Sequence, residues 1–372
     1  MRVLLSKNFF YGALIPTFFL FLFIKFFISE DKALLLIILN LLIVLLGVLI
    51  TVKFFIKNYP SFFVHKFIGF LAACAIVNFI FSPNCRIQDL FLSISYIGLA
   101  LIPLYIKLSY KFYKWVLVFA ITYFFALMYL DTDPNDVFNV SRNFVSIFLL
   151  IIFGLHLISS IQNNEQPSLL LLFACFLISI WAVGRGGILT FSFLVILYPL
   201  VVKLKLKYRL IILVLYVLGS LYVFNFYSDY ILKIGFERFQ SMGIQDSRTD
   251  INQDYINKSI NSFSNFLFGS PLKDIPSIAE VEGNPHNSFI RLHVYYGLFG
   301  FIFVIFILVS TAIKLLINMQ YLLLYFTIAL LIRSATDSAA FHGALDPLIF
   351  FSVFFAFKDN IITKKMELKE CI

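Results

Sequence analysis

Apolar runs of about eighteen residues or more recur along this chain. In a bilayer a run of that length satisfies its own backbone only as a helix. β-barrel strands would be shorter and would alternate in character, and these runs do neither. The pattern is suspended once at length, by about sixty mostly polar residues between Asp229 and His286. The expectation is an all-α, polytopic integral membrane protein of about twelve transmembrane helices with one large extramembrane loop. A long hydrophilic insert in such a chain is the natural place for chemistry at the membrane surface.

Composition supports the class and excludes others. The chain is 61% hydrophobic and 13% charged, where soluble domains run nearer a quarter charged. Its 48 Phe and 19 Tyr suit lipid-facing and interfacial surfaces. The net charge of +9 sits mostly in short loops between spans, with no Lys/Arg tract interleaved with aromatics. That argues for orientation signals and against a nucleic-acid partner. Cys74, Cys85, Cys175 and Cys371 form no CxxC and no metal-ligand spacing, so neither a disulfide framework nor a cysteine-held metal is expected. Arg2 and Lys7 precede an apolar run that reaches about Ser29 without a small-residue cleavage site, and it reads as a retained first span.

Spans are expected at 9–29, 33–52, 62–81, 90–107, 114–130, 142–161, 168–184, 187–202, 209–227, 288–313, 319–335 and 345–357. Residues 1–227 then form an N-terminal transmembrane bundle, 228–287 the loop, and 288–372 the last spans and a tail. The stretch 168–202 is broken only by Gly184-Arg185-Gly186-Gly187, which reads as a tight turn between two short helices. With the N-terminus inside, alternate loops collect Lys53, Lys57, Lys66, Lys107, Lys111, Lys114, Lys203, Lys205, Lys207, Arg209 and Lys314, and the tail adds Lys358, Lys364, Lys365 and Lys369. This satisfies the positive-inside rule, with both termini cytoplasmic and the loop outside. Cations at the outer ends of spans are instead mostly arginines: Arg86, Arg142, Arg185, Arg291 and Arg333. Lysine suffices for orientation, whereas the guanidinium fork binds phosphate bidentately. The bland alternative is that these arginines snorkel or pair with Asp89, Asp131, Asp136 or Asp337.

Several motifs fall in order on this topology. They are the Gly184–Gly187 turn, Ser247-Arg248, Leu267-Phe268-Gly269, His286-Asn287-Ser288-Phe289 and Tyr296-Gly297-Leu298-Phe299-Gly300. Together with the span pattern they resemble the O-antigen polymerase and O-antigen ligase superfamily of bacterial polysaccharide assembly. The chain is short, and the piece between Gly269 and His286, with Pro271 and Pro276, departs from the typical pattern.

The resemblance implies a membrane glycosyltransferase of the bacterial inner membrane with a periplasmic loop. Its substrate would be an undecaprenyl-diphosphate-linked oligosaccharide, and a chain-length regulator protein is an implied partner. An acceptor hydroxyl would displace the lipid diphosphate, so no cofactor is expected. His286 is the candidate base, and the alternative is a helix-start cap. Asn287 would orient the imidazole or contact sugar. Arg142, Arg185, Arg248 and Arg291 are the candidate substrate-binding cations.

His293, two turns along the same helix face, is either a groove residue or a buried histidine bonded to backbone. His342 and Asp337 are placed to close the cavity, and His65 and His156 read as structural. Asp131-Thr132-Asp133 is a lone acidic pair in a solvated turn. The polymerase reading leads. The ligase shares its fold and chemistry, and a twelve-span flippase is the rival of another class.

Overall fold

The computed structural model describes residues 62–82, 87–138, 141–201, 247–281 and 283–358, with scattered positions in 38–52 and 214–221. The expected spans 9–29, 33–52 and 209–227, the loop residues 228–246 and the tail lie wholly or largely outside them. So do Arg86, Cys85 and Cys371.

The described residues form helices and no strand. In chain order these are α1 (Phe62–Phe81), α2 (Ile87–Tyr105), α3 (Tyr110–Tyr129), α4 (Asn143–Gln162), α5 (Leu169–Trp181), α6 (Arg185–Val201), α7 (Ser247–Ile260), α8 (Phe263–Phe268), α9 (Ser288–Ile317), α10 (Tyr321–Thr336) and α11 (Asp346–Ala356), with short single turns between some of them. Nine of these overlie the spans expected from the sequence, and α7 and α8 belong to the polar insert. Four helices, α1, α3, α4 and α9, are long and apolar enough to cross a membrane, and the others in the apolar stretches are shorter. The apolar helices mark a membrane protein.

Burial separates a centre from a periphery. In α4, 83% of the best apolar window is inside the protein, against 28% in α1 and 33% in α3 and α9. The peripheral helices turn residues such as Phe119, Ile80 and Phe306 outward at 65–75% exposure, as lipid-facing surfaces do. At the end of the bundle away from the insert, Gln162 ties the α2–α3 connection to α4. Its Nε2 donates to the Pro103 and Ile106 carbonyls, and its Oε1 accepts from Leu108 N at 2.7 Å. Thus α4 is pinned at one end and free to present its N-terminus to a site at the other.

Helix α9 is two helices joined at Gly297, where φ is 67° and ψ −177°. A side chain there would be strained by φ and would meet the Leu267 carbonyl at 2.7 Å. The kink opens the helical ladder, and Asn78 Nδ2 of α1 donates to the Val294 carbonyl at 2.6 Å. Gly269, at φ 83°, closes α8 so tightly against α9 that a Cβ would lie 2.7 Å from Val294 Cα. The Leu267-Phe268-Gly269 and Tyr296-Gly297 motifs are therefore one contact. They dock the insert on the kinked helix.

Candidate functional site

Four helix ends meet beneath the insert: the N-termini of α4, α6 and α9 and the C-terminus of α10. The turn between α5 and α6 is Ala182-Val183-Gly184, with the left-handed conformation at Val183 (φ 50°) and not at a glycine. Arg185, Gly186 and Gly187 already belong to the first turn of α6. The two glycines are there for close approach. A Cβ on Gly186 would lie 2.4 Å from Thr336 Oγ1 and 2.8 Å from an Arg333 nitrogen, and one on Gly187 would lie 2.4 Å from Ser146. This corrects the expectation of a tight turn made by Gly184-Arg185-Gly186-Gly187 as a whole. The glycines let α6 press its N-terminus against α4 and α10.

That packing gathers cations. Arg333, 1% exposed, donates from one terminal nitrogen to Asp337 Oδ2 at 3.0 Å and to the Asn143 carbonyl at 3.3 Å. Its Nε has no hydrogen-bond partner among the described residues. Arg142 caps the start of α4 with its backbone and is 6% exposed. Its guanidinium makes no hydrogen bond or ion pair among the described residues. Arg185 is exposed at the start of α6. Arg248, half-buried in the first turn of α7, is close enough to Arg333 for the two guanidiniums to repel. Arg333 thus pairs with the buried Asp337 while Arg248 lies near Arg333, and Arg142 and Arg185 start the two neighbouring helices, whose N-terminal dipoles add to the positive field. Such a cluster is poised for an anion.

His286 stands at the rim. It is left-handed (φ 47°), a conformation that costs on the order of 1 kcal/mol. An Asx turn holds it there, with His286 N donating to Asn284 Oδ1 at 3.1 Å. Its Nδ1 faces Asp337 Oδ1 at 3.8 Å, an ion-pair distance too long for a hydrogen bond. The side chain is 29% exposed. Nδ1 is the buried nitrogen, so Nε2 is left at the accessible edge. Asp337 is fixed from three sides: by Arg333, by Ser338 N at 2.8 Å, and through its own carbonyl, which accepts from Ser288 Oγ at 2.6 Å. Burial alone would raise its pKa. His286, Arg333 and the Ser338 amide outweigh burial and hold it down at about 2. The carboxylate is a permanent anion that can keep the imidazole's Nδ1–H turned inward and its Nε2 lone pair outward.

The other expected residues are placed differently. The helix cap is Asn287, whose Oδ1 accepts from Phe289 N at 2.9 Å while Nδ2 donates to Asn252 Oδ1 of α7 at 3.0 Å. It joins the insert to α9 and does not orient the imidazole. Arg291 spends its fork on the Ser338 and His342 carbonyls, at 2.7 and 2.9 Å, so it clamps the α10–α11 connection. In His293 both nitrogens are engaged, Nδ1 with Tyr255 OH at 2.7 Å and Nε2 with the Phe266 carbonyl at 2.9 Å. This is the backbone-bonded alternative.

His342 lies under the rim, bonded to Ser93 Oγ at 3.1 Å and tilted against the Tyr295 ring, centroids 4.0 Å apart. Burial pushes its pKa well down, and Arg291 adds to the effect. Asp133 is occupied as a cap, accepting from Asn135 N at 2.8 Å. Ser288, quoted in the motif without a role, is the residue that ties Asp337 to the start of α9, because its Oγ also accepts from Ala340 N at 2.9 Å. The chain matches no protein-family model, no curated protein and no solved structure.

Proposed function

We propose that this protein is a polysaccharide polymerase that joins undecaprenyl-diphosphate-linked oligosaccharide repeat units at the outer face of a bacterial inner membrane. In this reading the chain has about twelve spans with both termini cytoplasmic and the insert periplasmic. The observation that carries the reading is buried guanidinium charge, on Arg142 and Arg333, beside an accessible imidazole. Arg333 pairs with Asp337, His286 faces that same carboxylate, and Arg248 lies near Arg333.

The chemistry follows from the groups. An acceptor sugar hydroxyl attacks the anomeric carbon of the donor, and the bond from that carbon to the diphosphate oxygen breaks. His286 Nε2 takes the hydroxyl proton. Negative charge develops on the departing diphosphate, and the arginine cluster stabilises it where little water screens the field. Asp337 acts through His286 as a positioning residue, and Arg333 holds Asp337 in place. The donor carries its activation as the diphosphate ester, so the reaction consumes no nucleotide.

The test is the surface-polysaccharide ladder of a deletion strain. The reading requires lipid A-core that carries a single repeat. Long chains accumulating on the lipid carrier would assign the ligase reaction instead. Repeat units trapped on the cytoplasmic side would assign a flippase.

A further inference from the structure

Helix α7 carries two apolar stripes, and its packing uses only one. Ile251 and Tyr255 are buried with Ile275 and Ile278 against Ile290 and Val294 of α9. Ile256 and Ile260, one turn apart, are 54% and 66% exposed, and α8 continues the stripe with Phe263 at 77% and Phe266 at 42%.

What α8 touches places this stripe along the length of α9. The Phe266 carbonyl accepts from His293, Gly269 abuts Val294, and Leu267 abuts Gly297. These contacts are five to nine residues into α9, about 8–14 Å along its axis from the first residue, Ser288. Beyond them α9 turns Phe299, Ile302 and Phe306 outward. On its other side Phe268 stacks on Phe81 at 5.1 Å, and Phe81 and Ile80 of α1 are themselves 59% and 65% exposed. Helix α8 therefore lies alongside the lipid-facing surfaces of two membrane-crossing helices and not above them. A cavity of about 260 Å³ beside it is lined by apolar groups of all three, among them Phe70, Cys74, Val77, Leu267 and Phe299.

Three hydrogen bonds within the segment satisfy polar groups on its inner side, Asn257, Lys258, Asn261 and Ser264 being exposed. Ser259 and Ser270 hydroxyls bond at 2.8 Å across the base of the hairpin. Asn265 Nδ2 donates to the Lys258 carbonyl at 3.3 Å, and Gly269 N donates to the Asn265 carbonyl at 2.9 Å.

We infer that residues 256–268 are a re-entrant element whose Ile256, Ile260, Phe263 and Phe266 side chains insert into the acyl region of the leaflet on the insert's side of the membrane. The insert is not wholly extramembrane. Its occupant is lipid, because the exposed stripe continues the lipid-facing bands of α1 and α9 without a polar break at Phe81–Phe268. Lys258, exposed on the same helix, can keep its charge at the headgroups.

The experiment uses the full chain in nanodiscs of phosphatidylcholine brominated on the acyl chain. A Trp115→Phe background removes the lipid-exposed native indole and leaves the buried Trp181. Phe263→Trp is expected to show blue-shifted emission and to lose much of it in brominated lipid. Asp254→Trp, on an exposed polar position of α7 away from the stripe, is expected to lose none. Equal quenching of the two would overturn the inference. So would blue-shifted but unquenched emission from Phe263→Trp, which would mean that another protein surface covers the stripe.

Discussion

Two polar clusters flank the start of α9, built from the same residue types, and they differ in what is left over. On one side, Arg291 is used up by two backbone carbonyls, His293 has both nitrogens bonded, and His342 sits between Ser93 and Tyr295. The Asp346 carboxylate there accepts three backbone amides, from Phe341, His342 and Gly343. On the other side, Arg142 and the Arg333 Nε have no partner among the described residues, and His286 keeps one nitrogen accessible. A buried polar group without a partner is costly. The first cluster is architecture that holds a loop against a helix. The second retains unsatisfied capacity for charge, and that is why the proposed chemistry is assigned to it.

The sharpest way to break this comparison is to remove one histidine from each side. His286→Ala should lower polymer formation about a hundred- to ten-thousand-fold at normal protein level. His293→Ala should remove the bonds to Tyr255 OH and the Phe266 carbonyl and lower thermal stability, by about 1–3 kcal/mol. Polymer should then fall only with the amount of folded protein. Equal loss of polymer from both variants at matched folded protein would erase the distinction.

Arg333→Met removes the cation that holds Asp337. Breaking a buried pair from one side costs about 3–5 kcal/mol, visible as a lowered unfolding temperature. Arg333→Met with Asp337→Leu should recover part of the stability but none of the activity. Recovery of polymer in that double variant would show that Asp337 does not position His286.

Arg185, exposed, should contribute to ligand binding and little to the fold. Arg185→Ala is expected to abolish polymer without changing the unfolding temperature. Arg185→Lys should retain a fraction, since the charge remains and the fork is lost, a difference of about tenfold. Full-length polymer in Arg185→Ala would make this arginine an interfacial anchor.

The smallest effect is a pH dependence. Asp337, held at about 2 in the fold, is depressed below the usual carboxylate value near 3.8. Its contribution, about 2 kcal/mol, is complete above about pH 4 and disappears as pH falls through about 2. The stability gap between the wild type and Asp337→Asn should therefore be flat above about pH 5 and shrink below about pH 4. A gap that already closes between pH 7 and 5 would mean that the carboxylate is not held by Arg333 and His286.

The helices of the bundle were legible in the sequence because an apolar run between polar loops carries its own boundaries. The helix observed at Phe62–Phe81 and the break near Gly184 both sit where the pattern places them. The site was legible only in part. His286 was named from its motif, but the pairing of Arg333 with Asp337 was only one of several open to the arginines, since one lies in an apolar helix and the other just past its end. Their four-residue spacing was a usable signal. The capping role of Asn287 was not separable in the sequence, because a helix cap and a substrate contact have the same sequence appearance. The depth of 256–268 was hidden by the polar average of the insert, although Ile256, Ile260 and Phe263 stand at the spacing of one helical stripe.

The central claim is that His286 accepts a proton beside a diphosphate site, and the polymer ladder of His286→Gln at matched membrane level tests it most directly. Glutamine can keep a hydrogen bond in place of the imidazole but cannot take a proton. The account predicts a ladder of single repeats from His286→Gln, nearly as severe as from His286→Ala. Full-length chains from His286→Gln would contradict it, leaving the residue a positioning group and sending the proton by another route.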